Sequence, residues 1–170
     1  MTDQSAATDL GTEADRLDTA ARNLASLRSE VESREPWPLS PAYGTEPEAD
    51  WGPKEVLAHT AEMLAYWPRE IERIIAGGPE PVPFGRVSTD PDRIGRIGRD
   101  RELPATDLFD QIAIEVATLE GRIRSLPASD AARLGLHPRL GQMTVGAMVP
   151  RFLTNHLEEH VEQLRSILRR

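Results

Sequence analysis

Cysteine is absent from the 170 residues. The chain can therefore form no disulfide and offer no thiolate to a metal. Any metal must be held by imidazole and carboxylate, and any thiol chemistry needs a thiol from outside. Lysine is nearly absent as well, with Lys54 the one lysine among 20 basic residues. Acidic residues number 28, giving a formal charge of -8, which argues against nucleic acid as a partner because phosphate contacts need a basic surface. No apolar run approaches the roughly 20 residues that span a bilayer. Residues 1–9 have neither the basic start nor the apolar stretch of a secretory signal. The expectation is a cytoplasmic protein without a membrane partner. With 39% hydrophobic residues, the chain is long enough for one compact domain over 1–170, with 1–11 expected as a frayed tail.

Helical periodicity is what the sequence has instead. Leu17, Ala21, Leu24, Leu27 and Val31 repeat at the three-and-four spacing of one buried stripe, predicting a first helix over 12–35. A second is predicted over 53–76, opened by Pro53, closed by Gly77-Gly78-Pro79 and kinked at Pro68. Phe109, Ile112, Val116, Leu119, Ile123 and Leu126 predict a third over 106–126. The fourth starts near Thr144, with Pro150 bending its first turn, and buries Leu153, Leu157, Val161, Leu164 and Leu168. No strand pattern is visible. Residues 79–104 show no period and read as a crossover, a functional loop or a short unresolved helix. The whole predicts an all-α four-helix bundle with long connections.

Four histidines are present. His156 and His160 lie four apart on the last helix and share one face of it, bordering the buried stripe. Neutral imidazole is a common ligand for divalent metals, and such a pair grips one ion from a rigid element. The third ligand is expected to be His59, which falls between Val56 and Met63 on the inward side of the second helix. The alternative is a surface His/Glu face that binds nothing. Ligating histidines usually donate their other N–H to a carboxylate or carbonyl, and Glu62, Glu55, Glu159 and Glu162 are spaced to do so, Glu62 foremost. Of the arginines in 84–101, Arg93 and Arg96 are candidates for binding an anionic substrate, against local pairing with Asp90, Asp92 and Asp100. His137, flanked by Gly135 and Pro138, is expected in a solvated turn.

Trp51-Gly52-Pro53-Lys54-Glu55-Val56-Leu57-Ala58-His59, together with His156-Leu157-Glu158-Glu159-His160-Val161-Glu162-Gln163-Leu164, resembles the DinB-like (DNA-damage-inducible) metalloprotein superfamily. That superfamily includes bacillithiol- and mycothiol-dependent S-transferases and maleylpyruvate isomerases. The resemblance covers the order and spacing of all four helices and implies His59, His156 and His160 as metal ligands. It also implies a divalent ion such as zinc or nickel, and a low-molecular-weight thiol such as mycothiol as cosubstrate. This chain has Asn155-His156 where many members carry a His-His pair.

Two classes of function follow. One is a metal-dependent enzyme on a small-molecule substrate, performing thiol-dependent S-transfer, isomerisation or hydrolysis. The other is a non-catalytic ligand-binding or stress-response bundle with a vestigial metal site. A homodimer is a candidate assembly for either. His156-Leu157-Glu158-Glu159-His160 also matches the H-x-x-E-H pattern of some metallopeptidases. However, the acidic residue after His160 is Glu162, two positions on, where that pattern expects a more distant acidic ligand and a much larger domain.

Overall fold

The computed structural model describes residues 8–41, 44 and 48–170. Of the expected tail, 1–7 fall outside the described residues, whereas Leu10 and Gly11 already belong to helix α1, Leu10–Ala25. Asp9 starts that helix by accepting the N–H groups of Gly11 and Thr12 at 3.0 and 3.2 Å, which satisfies two of the donors a helix start leaves unbonded.

The predicted first helix divides in two. After Ala25 the N–H of Leu27 turns to the carbonyl of Leu24, and the Ser26 hydroxyl takes that of Asn23. Such local bonds compete with the helical ladder. Helix α2, Arg28–Ser33, then continues the stripe to the buried Val31. Helix α3, Pro53–Ala76, has the predicted bounds and runs on through Pro68. Helix α4, Pro91–Asp100, lies in the segment without a period. Its stripe is short, with Ile94 and Ile97 as the apolar side chains, but Asp90 caps it by accepting the N–H of Arg93 at 3.0 Å, and Pro91 fits a first-turn position. Helix α5 spans Ala105–Arg124, and the short helix α6 spans Ala128–Ala131.

Strands occur where none was expected. β1 (Val82–Pro83) runs parallel to β2 (Leu134–His137), which pairs antiparallel with β3 (Gly141–Thr144). The usual period-2 signal is inverted in β2. Its inward residues are Gly135 and His137, while Leu134 and Leu136 face out. Gly135 is required there because a Cβ would run into Phe84 and Ile74. His137 is buried by this alternation, contrary to the solvated turn expected for it.

The last helix begins as α7, Val145–Met148, with Thr144 as N-cap. It passes through a π-helical stretch, Val149–Thr154, and continues as α8, Asn155–Leu168. Pro150 sits in that stretch. With no N–H to give the preceding turn, it disturbs the ladder where the register widens. α1, α3, α5 and the α7–α8 helix form the bundle, with α1 packed on α5 and α8, and α3 on α5 and α8. Leu17, Leu24, Leu57, Leu64, Leu108, Leu153, Leu157 and Leu164 are fully enclosed between them. No helix among the described residues is long and apolar enough to cross a membrane.

Candidate metal centre

Helix α3 carries His59 inward because it lies one turn from both Val56 and Met63, which are fully buried. Helix α8 faces it with His156 and His160. The three side chains meet where α3 and α8 pack. Nε2 of His59 lies 3.2 Å from Nε2 of His156, and one donor atom from each histidine falls within 4.8 Å of the others. Two metal–nitrogen bonds of about 2.0–2.1 Å at a tetrahedral angle place their nitrogens roughly 3.3 Å apart. The His59–His156 separation already matches, and a small closure of His160 completes the set. His59 and His160 are buried, and His156 is partly exposed at the side that opens outward.

The other ring nitrogens explain the orientation. Nδ1 of His160 lies 2.9 Å from Oε1 of Gln163, whose amide donates to the carbonyl of Glu48 at 2.8 Å. The proton of His160 is therefore on Nδ1. Its Nε2 is buried with no hydrogen-bond partner among the described residues, a cost that a ligand would offset. His156 bonds back to the carbonyl of Phe152, in the π-helical stretch one turn earlier. Nδ1 of His59 faces Oε2 of Glu62 at 3.5 Å, and Oε1 of Glu62 accepts a hydrogen bond from Arg86.

Burial holds all three imidazoles in the neutral, ligating form. It pushes His160 down to about 4, although the Gln163 bond acts the other way. His59 and His156 are driven well below 6.5 by burial first, then by the neighbouring His160 and by Arg93. The donor set is thus deprotonated at neutral pH, as metal binding requires. These features fit a divalent ion held by three histidines.

A sequence model of the DinB superfamily matches residues 11–164. The chain belongs to that superfamily. No curated protein and no solved structure gave a match.

The DinB bundle brings some of the remaining sequence candidates to the triad and takes others away. Glu62 is buried beside His59, its Oε2 3.5 Å from Nδ1 with no hydrogen bond between the two atoms. Glu55 is not at the triad. Its carboxylate accepts the N–H groups of Gly52 and Ser40 and pairs with Arg101, tying the start of α3 to the preceding loop. Glu159 is exposed and lines the outer cavity without bonding a histidine, and Glu162 pairs with Arg169 on the surface. Arg93 is buried, pairs with Glu48, and lines a cavity of about 230 Å³ that reaches His59 and His156. Arg96 pairs with Asp100 one turn away on α4, the local pairing that competed with a substrate role.

Three contributors were not singled out from sequence. Gln163 sits at i+3 from His160, a helical neighbour, and that spacing was the signal available for it. The Phe152 carbonyl depends on the π-helical register, which the sequence hints at only through Pro150. Arg86 reaches Glu62 from a loop 24 residues on, and nothing local announces it.

Proposed function

We propose that this chain is a metal-dependent enzyme acting on a small molecule, with one divalent ion, zinc or nickel, ligated by His59, His156 and His160. The observation that carries the reading is the buried, unpartnered Nε2 of His160 beside two neutral imidazoles, each turned by a hydrogen-bonding or charged neighbour. An ion held by three imidazoles supplies a Lewis acid with open positions, at which a water or a thiol sulfur loses its proton.

The chain's own groups prepare that chemistry. Gln163 and the Phe152 carbonyl orient the rings of His160 and His156, and the Glu62 carboxylate lies 3.5 Å from Nδ1 of His59. Arg86 and Arg93 line the cavity in front of His59 and His156, and each is balanced by a carboxylate. Trp67 stacks on Phe152 at 4.1 Å and forms an apolar wall there. Because the chain has no cysteine, a thiol reaction needs an external low-molecular-weight thiol such as mycothiol. S-transfer or isomerisation with that thiol, or hydrolysis of a small substrate, is the chemistry proposed.

Metal analysis of protein purified without an affinity tag, then stripped and reloaded, tests the site. About one ion per chain is expected, and no uptake at micromolar metal overturns the reading. Turnover of a generic electrophile with a low-molecular-weight thiol, or of a hydrolysable ester, is then measured with and without metal. Metal uptake with no turnover of either kind would favour a non-catalytic bundle instead.

A further inference from the structure

The triad cavity continues outward. The inner part of about 230 Å³ shares Trp67, Arg86, Phe152 and His156 with an open outer part of about 550 Å³. The outer wall is made by elements the helical pattern did not announce. The β2–β3 turn brings Arg139, β2 brings His137, and the π-helical stretch brings Arg151. We propose that this outer cavity is an anion subsite, in which Arg139 and Arg151, assisted by His137, hold the carboxylate or phosphate of a small substrate whose apolar body lies against Phe152 and points toward His156.

The charge pattern carries the assignment. The inner arginines are neutralised, Arg86 by Glu62 and Arg93 by Glu48. The guanidinium groups of Arg139 and Arg151 have no hydrogen-bond or ion-pair partner among the described residues. The acidic residue on the same wall is Glu159. Two unbalanced guanidinium groups against one carboxylate make a locally positive mouth on a chain whose formal charge is -8. Such a mouth concentrates anions, and the planar fork of arginine matches a carboxylate or phosphate.

His137 adds a donor of fixed sense. Its Nδ1 accepts the N–H groups of Arg139 and Leu140 at 3.2 and 3.3 Å, so the ring proton is on Nε2, which has no partner among the described residues. The ring is held between Phe84 and Phe152. Gly85, at φ +87°, lets it in, because a Cβ there would collide with the imidazole. Burial first, and then the charges of Arg151 and Arg139, lower its pKa, so it stays neutral and keeps that tautomer.

That the bound anion is a substrate rests on the metal-enzyme reading, but the subsite itself can be tested without metal. Benzoate, phenyl phosphate and the neutral benzyl alcohol are titrated by calorimetry into metal-stripped full-length protein, as wild type, R139Q/R151Q and H160A. Both arginines are exposed, so the double variant should keep its fold, checked by circular dichroism, with each single variant as a control. Saturable binding of at least one of the two anions is expected, weakened at least about tenfold in R139Q/R151Q and retained in H160A. The tighter anion assigns the headgroup. Equal binding of benzyl alcohol, unchanged affinity in R139Q/R151Q, or no anion binding by the wild type overturns the proposal. Failure of the metal site alone would appear instead as absent metal uptake with anion binding intact.

Discussion

Gln163 ties His160 to the loop before α3. Its Oε1 lies 2.9 Å from the imidazole Nδ1, and its Nε2 donates to the backbone carbonyl of Glu48 at 2.8 Å. The second bond fixes the amide, because only its NH₂ can donate to a carbonyl. The oxygen must then face His160, the ring proton must sit on Nδ1, and the lone pair of Nε2 is left for a metal. The same loop residue, Glu48, pairs with Arg93 at the inner cavity, so one short segment positions both a ligand and a cavity cation.

Replacing Gln163 by Leu removes the acceptor and the anchor while keeping a similar volume. Metal affinity is expected to fall by about 10–100-fold, the usual effect of losing a group that orients a ligand, with circular dichroism unchanged. Competition titration against a chromogenic chelator measures it. An affinity equal to wild type would show that the tautomer of His160 does not depend on Gln163.

Glu62 makes a direct ion pair with Arg86 and lies 3.5 Å from His59, with the carboxylate almost fully enclosed. Glu62→Ala strands a buried guanidinium, which costs about 3–5 kcal/mol in comparable buried pairs. E62A/R86M should recover much of that loss, because no lone charge stays behind. Urea denaturation of the single and double variants measures the coupling. Additive losses would mean that the pair adds nothing beyond its separate contacts.

The apolar stripes made most of the bundle legible in the sequence, and the bounds of α3 were readable from Pro53 and Gly77. His59 and the pair on α8 were readable for the same reason, since helical spacing fixes which side chains share a face. The sheet was not. Its inward positions in β2 are a glycine and a histidine, so hydrophobic alternation, the signal for a half-buried strand, pointed the wrong way. Glu55 was misassigned because sharing a face with His59 does not decide which way a long side chain bends. Its carboxylate turned back to unpaired N–H groups at the start of its own helix.

The pH dependence of stability follows from the histidines. Burial lowers His160 to about 4, and His59 and His156 well below 6.5, whereas in the unfolded chain each titrates near 6.5. Between about 6.5 and 4 the unfolded chain therefore binds more protons, and the native state loses stability as pH falls. The slope is about 1.4 kcal/mol per pH unit for each histidine that stays neutral throughout. Above 6.5 both states hold neutral imidazoles and this contribution is constant. Urea midpoints of the metal-free protein should stay level from pH 7 to 8 and drop as pH falls below 6.5, with a shallower drop in H160A. An H160A slope as steep as that of wild type would contradict the assignment.

Metal should stabilise the fold without being needed to form it. The bundle has an apolar core of its own, in which Leu57, Leu64, Leu153 and Leu157 are fully enclosed, so stripping the ion leaves a folded protein in which Nε2 of His160 has no partner among the described residues. Binding to the native state alone adds stability by mass action, roughly 2.7 kcal/mol at a free ion concentration 100 times the dissociation constant. Thermal melts with and without Zn²⁺ should therefore separate in the wild type. His156→Ala should abolish that separation while leaving the metal-free melting point nearly unchanged, because His156 sits at the partly exposed edge of the site. If the histidines served only to pack the core, the pattern would reverse. His156→Ala would lower the metal-free melting point, and added Zn²⁺ would shift neither protein. A wild-type melting point independent of metal would leave a helical bundle without a metal site.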